Sequence, residues 1–287
     1  MKKNILEKEF FNFIYKRQLI WHKRFILKEK APWTDDEVLK KYKIINMYRE
    51  LDRCTLYILN KLKGIRNRET ILLNIIFYRF FNIDQLYEKL GIGIFEKSDL
   101  KDLIEKFDEL KKEGPVFSNA YLISGVKGER KHVSVVENLG KLDIKSVIAE
   151  IDKASTPESS FGALLKIPMV GPFLACEIWT DLAYLGFFKQ GWNDNDFVNI
   201  GPGAKWGLEI IYGKLSRKEL MEKLKHLHTI QGQFFDNEFW KKIAYKEAFS
   251  NYPFLSITNI EGALCEFRKY CRLKNGKGKK RYFKATG

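Results

Sequence analysis

No C-x-x-C pair occurs in this sequence. Its four cysteines, Cys54, Cys176, Cys265 and Cys271, are scattered over 287 residues, which argues against a structural zinc and against a four-cysteine iron–sulfur loop and leaves reduced thiols as the expectation. His226 and His228 stand two apart, a spacing that turns them to different faces of a helix, so no metal is expected. There is no G-x-x-x-x-G-K-[ST] loop and no dinucleotide fingerprint, so no cofactor is expected. Long apolar runs are missing too. The longest, at 71–81 and 183–188, are too short or too interrupted to span a membrane. The Lys-rich start has no signal-peptide core or cleavage site, and the protein is expected to be cytoplasmic, monomeric and without a membrane partner.

Acidic residues are in deficit: 36 Asp and Glu face 51 Lys and Arg, a formal charge of +15. That balance favours a polyanionic partner, although a Lys-rich surface with no specific role gives the same number. Placement sharpens it. Residues 268–284, RKYCRLKNGKGKKRYFK, hold nine basic residues and no acid, with Tyr270, Tyr282 and Phe283 interleaved as possible stacking groups; Arg268, Lys269, Arg272 and Lys274 are the candidate phosphate contacts. A basic tail without a fixed role fits the same composition.

The remaining pattern is helical throughout. Apolar residues from Phe10 to Phe25 build a first helix that ends near Ala31-Pro32. Thr34 and Glu37 form a capping box that opens a long helix, with Val38, Leu39, Tyr42, Ile45 and Leu51 as its core stripe. On its opposite face Asn46, Arg49, Glu50 and Arg53 share one side, as a solvated charge cluster or as a lining. Helices are predicted over 69–81, 84–90, 98–112 and 143–153. The segment 116–126 is a short strand or a helix end. Thr156-Pro157 caps a helix that enters a hairpin. Further capping boxes, Ser216 with Glu219 and Thr258 with Glu261, open helices at 217–227 and 259–272, and the aromatic-rich stretch 234–245 between them reads as core packing.

The hairpin is the organising feature. In LLKIPMVGPFLACEI, one apolar helix ends at Ile167, Pro168-Met169-Val170-Gly171 makes the turn, and Phe173, Leu174 and Ala175 begin the next helix, whose N-terminal amides and dipole would face a phosphate. Asp194 and Asp196 follow, in an aromatic-flanked loop leading to the Gly-rich segment GPGAKWG with Gly201, Gly203 and Lys205. Pro and Gly that merely break two core helices, followed by two capping carboxylates, would leave the same string.

The hairpin resembles that of the helix-hairpin-helix DNA glycosylases, a pattern near L-P-G-V-G-x-x-T-A with a catalytic Asp some way downstream. Pro168, Val170, Gly171 and Ala175 match, Met169 replaces the first Gly, and Phe173 stands where lyase-active members carry Lys, so no Schiff-base nucleophile is implied there. The resemblance implies an all-α fold of two helical lobes with a groove between them: a hairpin lobe at 155–250, and a second lobe made of 1–154 with 251–287.

Three segments together, PWTDDEVLKKYKIINMYRELDR, the Asp followed by GPGAKWGL, and TNIEGALCEFRKYCRL, resemble a narrower group across nearly the whole chain. This is the α-glutamyl/putrescinyl-thymine pyrophosphorylase group, which includes the helical domain of 5-hydroxymethyl-deoxyuridine DNA kinases and the amino acid:DNA transferases. It implies action on DNA pyrimidines with 5-substituents, with ties to phage DNA hypermodification or the host response to it. Its N-x-x-R-E-x-D motif falls on Asn46, Arg49 and Asp52 and implies a groove-lining role. The leading expectation is a monofunctional glycosylase acting on duplex DNA. Asp196, or Asp194, would stabilise the oxocarbenium-like sugar and activate water, and Trp192, Phe197 or Trp206 would stack on the extruded base or belong to the core. The second is a transferase joining an amino acid or polyamine to an activated 5-hydroxymethyl group, with Lys205 and Arg49 as cations for the leaving phosphates. The third is a DNA-binding module without catalysis.

Overall fold

The computed structural model describes residues 2–118, 130–235, 237–278 and 282. Most of the segment 116–126 and the residues 279–281, 283 and 284 of the basic stretch lie outside them. The fold is all-α as expected, and the described residues contain no strand beyond an isolated bridge between Tyr42 and Tyr282. No helix among them is long and apolar enough to cross a membrane.

In chain order the helices are α1 (Lys2–Trp21), α2 (Glu37–Lys41), α3 (Arg53–Leu62), α4 (Arg68–Phe81), α5 (Leu86–Lys89), α6 (Leu100–Glu113), α7 (Lys131–Lys141), α8 (Ile144–Lys153), α9 (Pro157–Leu165) and α10 (Pro172–Tyr184). They continue with α11 (Pro202–Tyr212), α12 (Arg217–Ile230), α13 (Gly232–Phe235), α14 (Glu238–Ile243) and α15 (Ile257–Lys274). Two compact units result. Unit 1 joins Met1–Asp52 to Ile200–Gly287, and unit 2 is the continuous stretch Arg53–Asn199. The divisions thus fall at 52/53 and 199/200, not at 154/155 and 250/251. The reason lies in α4: residues 71–81 are all buried, so the helix needs cover on every side, and α3, α8 and α10 pack against it. The hairpin helices therefore belong with the segment that precedes them.

Unit 1 closes its core by pairing the first helix with the last ones. Phe10 meets Phe267 edge-on at 5.3 Å, Phe11 stacks on Phe234 at 4.3 Å, and Phe235 stacks on the fully buried Trp240 at 3.9 Å. Phe239 departs from the expected core and is exposed.

Two sequence expectations need correction here. The long helix from Thr34 stops after five residues: Asp36, not Thr34, caps α2 by accepting from the Val38 and Leu39 amides at 3.2 Å, and the chain turns extended at Tyr42. Only a short 3-10 turn, Arg49–Leu51, precedes α3, so Asn46, Arg49, Glu50 and Arg53 share no α-helical face. The Gly-rich segment is also no loop. Gly201 caps α11 with Pro202 at its first position, and α11 lies against α15 so closely that a Cβ on Gly203 would sit 2.3 Å from Cys265 Sγ and one on Gly207 2.3 Å from the Leu264 carbonyl oxygen. Gly203 and Gly207, one turn apart, are there for helix contact. A smaller revision concerns α15, which is capped by Ser256 through the Asn259 amide rather than by Thr258; Glu261 instead accepts from the Gly201 amide at 3.1 Å.

Candidate functional site

Unit 2 presents the hairpin. Ile167 and Val170 are buried and anchor the turn, and the Val170 amide bonds the Ile167 carbonyl at 3.1 Å. Met169 has φ +66°, a left-handed conformation that favours glycine. That accounts for the Gly at this place in the hairpin pattern that the turn resembles. The methionine occupies the position with its sulfur 3.3 Å from Asn138 Nδ2. Gly171 caps α10 with extended backbone, Pro172 takes the first helical position, and Gly171, Pro172 and Phe173 are exposed. Space around a Cβ on Gly171 is open. The arrangement is that of an accessible helix N-terminus, positive by its dipole.

What fixes that helix is buried and was not foreseen. Arg79 on α4 grips Asp181 on α10 through Nε at 2.5 Å and Nη2 at 2.6 Å, bonds Asn82 Oδ1 and Thr55 Oγ1 at 3.0 Å each, and stands 3.5 Å from Glu177. Arg79, Asp181 and Glu177 are all buried. The signal was available: a single Arg inside ILLNIIFYRFF demands buried carboxylates, and Glu177 and Asp181 lie one turn apart in α10. On the other side of the hairpin, Trp179 Nε1 donates to Ser160 Oγ at 2.8 Å and ties α10 to α9.

The carboxylates expected to be catalytic occupy a turn after α10. Asp196 is exposed and accepts from the Asn193 amide at 2.8 Å, closing its own turn. Asp194 is fully buried. Phe197 is buried in the core against Phe161 and Trp179 at 5.0 and 5.1 Å, so it is no stacking platform. Trp192 is half-buried and packs on Phe188 at 5.7 Å.

Unit 1 holds the other candidates. Arg17 of α1 donates through Nε to the Ile44 carbonyl at 2.9 Å and through Nη2 to Asn46 Oδ1 at 2.8 Å. Asn46 turns its own amide to the Leu51 carbonyl at 2.8 Å and approaches Asp52 Oδ1 at 3.5 Å. Beside it the Arg49 amide donates to Asn259 Oδ1, whose Nδ2 donates to the buried Glu50, and the Ile45 amide donates to the buried Glu266. Asn46, Arg49 and Asp52 are thus brought together, not along a helix but around side chains of α1 and α15 more than two hundred residues distant from one another. Burial lowers the Arg17 guanidinium to about 10, with Asp52 and Glu266 opposing that shift, so it is charged at neutral pH.

On α15, Lys269 is held by Glu266 at 2.5 Å and Arg268 lies over the Trp206 ring at 4.0 Å, whereas Arg272 and Lys274 are exposed. Lys205 is 3.9 Å from Glu209. Trp206 is exposed, but its face carries an arginine.

Comparison with known proteins corrects the expected reaction. The family described as "5-hmdU DNA kinase, helical domain" matches residues 4–280. A protein of Bacillus phage SP10 named "5-hmdU DNA kinase" is 28% identical over 289 aligned positions, covering 91% of this chain and 44% of that protein. The chain therefore spans less than half the length of this relative. No solved structure matches. A kinase transfers phosphate. It neither hydrolyses an N-glycosidic bond nor joins an amine to DNA, so the expectation of a DNA glycosylase is overturned, and with it the excision role that singled out Asp196 and Asp194; the amine transferase gains no support. The chain belongs to the 5-hmdU DNA kinase helical domain family.

Proposed function

We propose that this chain is the DNA-engaging part of a system that phosphorylates 5-hydroxymethyl-deoxyuridine in DNA. The observation that carries the reading is the family match, which runs over 4–280. The charge of +15 supports it, as do the exposed cations Arg272 and Lys274 of α15 and the accessible N-terminus of α10 behind Gly171, both suited to backbone phosphates. In this reading Pro168, Met169, Gly171 and Phe173 contact phosphate, and Val170, buried and with its amide bonded to the Ile167 carbonyl, anchors the turn that presents them. The partner is duplex DNA, the protein acts as a monomer, and it works in the cytoplasm.

The test is a pair of labelled duplexes that differ only by a 5-hydroxymethyl group on one uracil in place of the thymine methyl, titrated with the purified chain across a salt series. The modified duplex is expected to bind about tenfold tighter, and both affinities should fall as salt rises. Equal affinity for the two duplexes would sink base selectivity, and affinity indifferent to salt would sink the phosphate contacts. Gly171→Asp, which sets a negative charge against the helix N-terminus, is expected to weaken both duplexes alike.

A further inference from the structure

Unit 1 contains a cavity of about 350 Å³ formed by the end of α1, the π-helical turn His22–Ile26, residues 31–34, α2 and residues 42–44. Its lining has two properties at once. Trp21, Trp33 and Tyr42 supply aromatic surface, and Arg17, Arg24 and Lys40 supply positive charge; among the described residues no carboxylate lines the cavity, and Glu37 pairs with Lys40 at 3.6 Å.

The groups are held in place. Trp33 Nε1 donates to the Glu29 carbonyl at 2.8 Å, which fixes the indole to its own loop. The Arg24 guanidinium lies 5.3 Å from the Trp33 ring centroid and 4.9 Å from that of Phe25, and the Tyr42 ring stacks on Tyr282 at 5.4 Å. Arg17 is positioned from behind by Ile44 and Asn46, and among the described residues Nη1 makes no hydrogen bond. Asn46 therefore acts on the cavity through Arg17, as a positioning residue.

Flat rings beside cations suit an aromatic base that carries an anionic group. The volume lies at the small end of the range of roughly 300–1,000 Å³ that ligand sites occupy, enough for one base with its sugar and phosphate. A base stacks on aromatic side chains, and arginine adds charge-assisted bonds to phosphate. We propose that this cavity binds a single nucleotide, its base against the aromatic walls and its phosphate on Arg17, Arg24 and Lys40. The inference deepens the reading of the chain as DNA-engaging, and two sources share this chemistry: a nucleotide extruded from DNA and a free nucleoside monophosphate.

The experiment is calorimetric titration of the whole chain with thymidine 5′-monophosphate, its 5-hydroxymethyl-uridine counterpart and unphosphorylated thymidine, followed by competition against a labelled duplex. Saturable binding of the monophosphates is expected, with thymidine about tenfold weaker. Trp33→Leu and Arg24→Gln should each weaken the monophosphates by about tenfold at an unchanged melting temperature. If Trp33→Leu fails to fold, Lys40→Glu at the exposed rim replaces it and should weaken monophosphates more than thymidine. A monophosphate that displaces the duplex identifies an extruded nucleotide as the occupant, and one that binds without displacing it identifies a free nucleotide. Binding of monophosphates without any DNA affinity would uphold the site and bring down the DNA reading alone. Absence of saturable monophosphate binding, together with duplex affinity insensitive to Trp33→Leu and Lys40→Glu, would overturn the site.

Discussion

The two units handle buried charge in opposite ways. Unit 2 encloses one cation, Arg79, with two carboxylates in its core, and both carboxylates come from α10 within Arg53–Asn199. Unit 1 spreads Arg17, Asn46, Glu50, Asn259 and Glu266 through contacts drawn from both ends of the chain, with Glu50, Asn259 and Glu266 buried and Arg17 and Asn46 half-buried next to an aromatic cavity. The first arrangement is a clamp on the helix behind the hairpin. The second holds an arginine at the edge of a space large enough for a ligand. The contrast teaches that the charges serving architecture are the fully enclosed ones, whereas those lining the cavity keep access to solvent.

Substitutions can break this contrast. The largest effect is expected from Arg79→Met, which strands Asp181 and Glu177 without a cation: about 3–5 kcal/mol of stability should be lost, read by urea unfolding, and converting all three residues to apolar or neutral ones should restore much of it. A loss below about 1 kcal/mol would show that the clamp is not structural. Next comes Gly207→Ala, whose Cβ would meet the Leu264 carbonyl and force α11 from α15, at about 1–3 kcal/mol. In unit 1, Asn46→Ala removes the acceptor of Arg17 Nη2 and the donor to Leu51 at a cost of about 1–2 kcal/mol. It should weaken monophosphate binding while leaving hydrophobic-dye binding unchanged.

Acid sharpens the comparison further. Hydrogen bonds from Arg68 hold the Asp152 carboxyl of unit 2 down at about 2, against the opposing effect of burial and with Lys189 assisting. Because this folded-state value lies below the unfolded value of about 3.9, the contribution is fully present above pH 4 or so and is lost as pH falls towards about 2, amounting to at most about 2 kcal/mol. Asp152→Asn should flatten acid unfolding in that window. The smallest effect is expected from Met169→Gly. Relief of the left-handed backbone and loss of the contact to Asn138 oppose each other, so a change within about 1 kcal/mol in thermal unfolding is anticipated.

What was legible in the sequence was local. The cap at Thr156, the capping box at Ser216, the hairpin turn and the apolar helix over 71–81 depend on neighbours a few residues apart, and each is found where periodicity and turn chemistry place it. The helix expected beyond Lys41 failed because its competitors are distant: Arg17 captures the Ile44 carbonyl, and Glu266 the Ile45 amide, which a helix would have claimed for itself. The stacking role expected of Phe197 failed because an aromatic beside a polar turn reads the same whether it faces out or in. The cavity had no local signature at all, since Arg17, Trp33 and Tyr42 meet only once the chain has folded back. Gly203 and Gly207 could have been recognised, as a pair of glycines four apart is a sign of helices in close approach.

The contacts of Phe10 with Phe267 and Phe11 with Phe234 have a temporal side. A ribosome delivers the chain from its N-terminal side, and α1 emerges before Phe234 and Phe267 are synthesised. Arg53–Asn199, continuous and self-contained, can condense while α1 waits, and unit 1 can close only after α15 has left the exit tunnel. The nascent protein must therefore carry an exposed Phe-rich helix until α15 is made, which makes that helix a segment that chaperones would bind and one through which a chain truncated before α15 would aggregate.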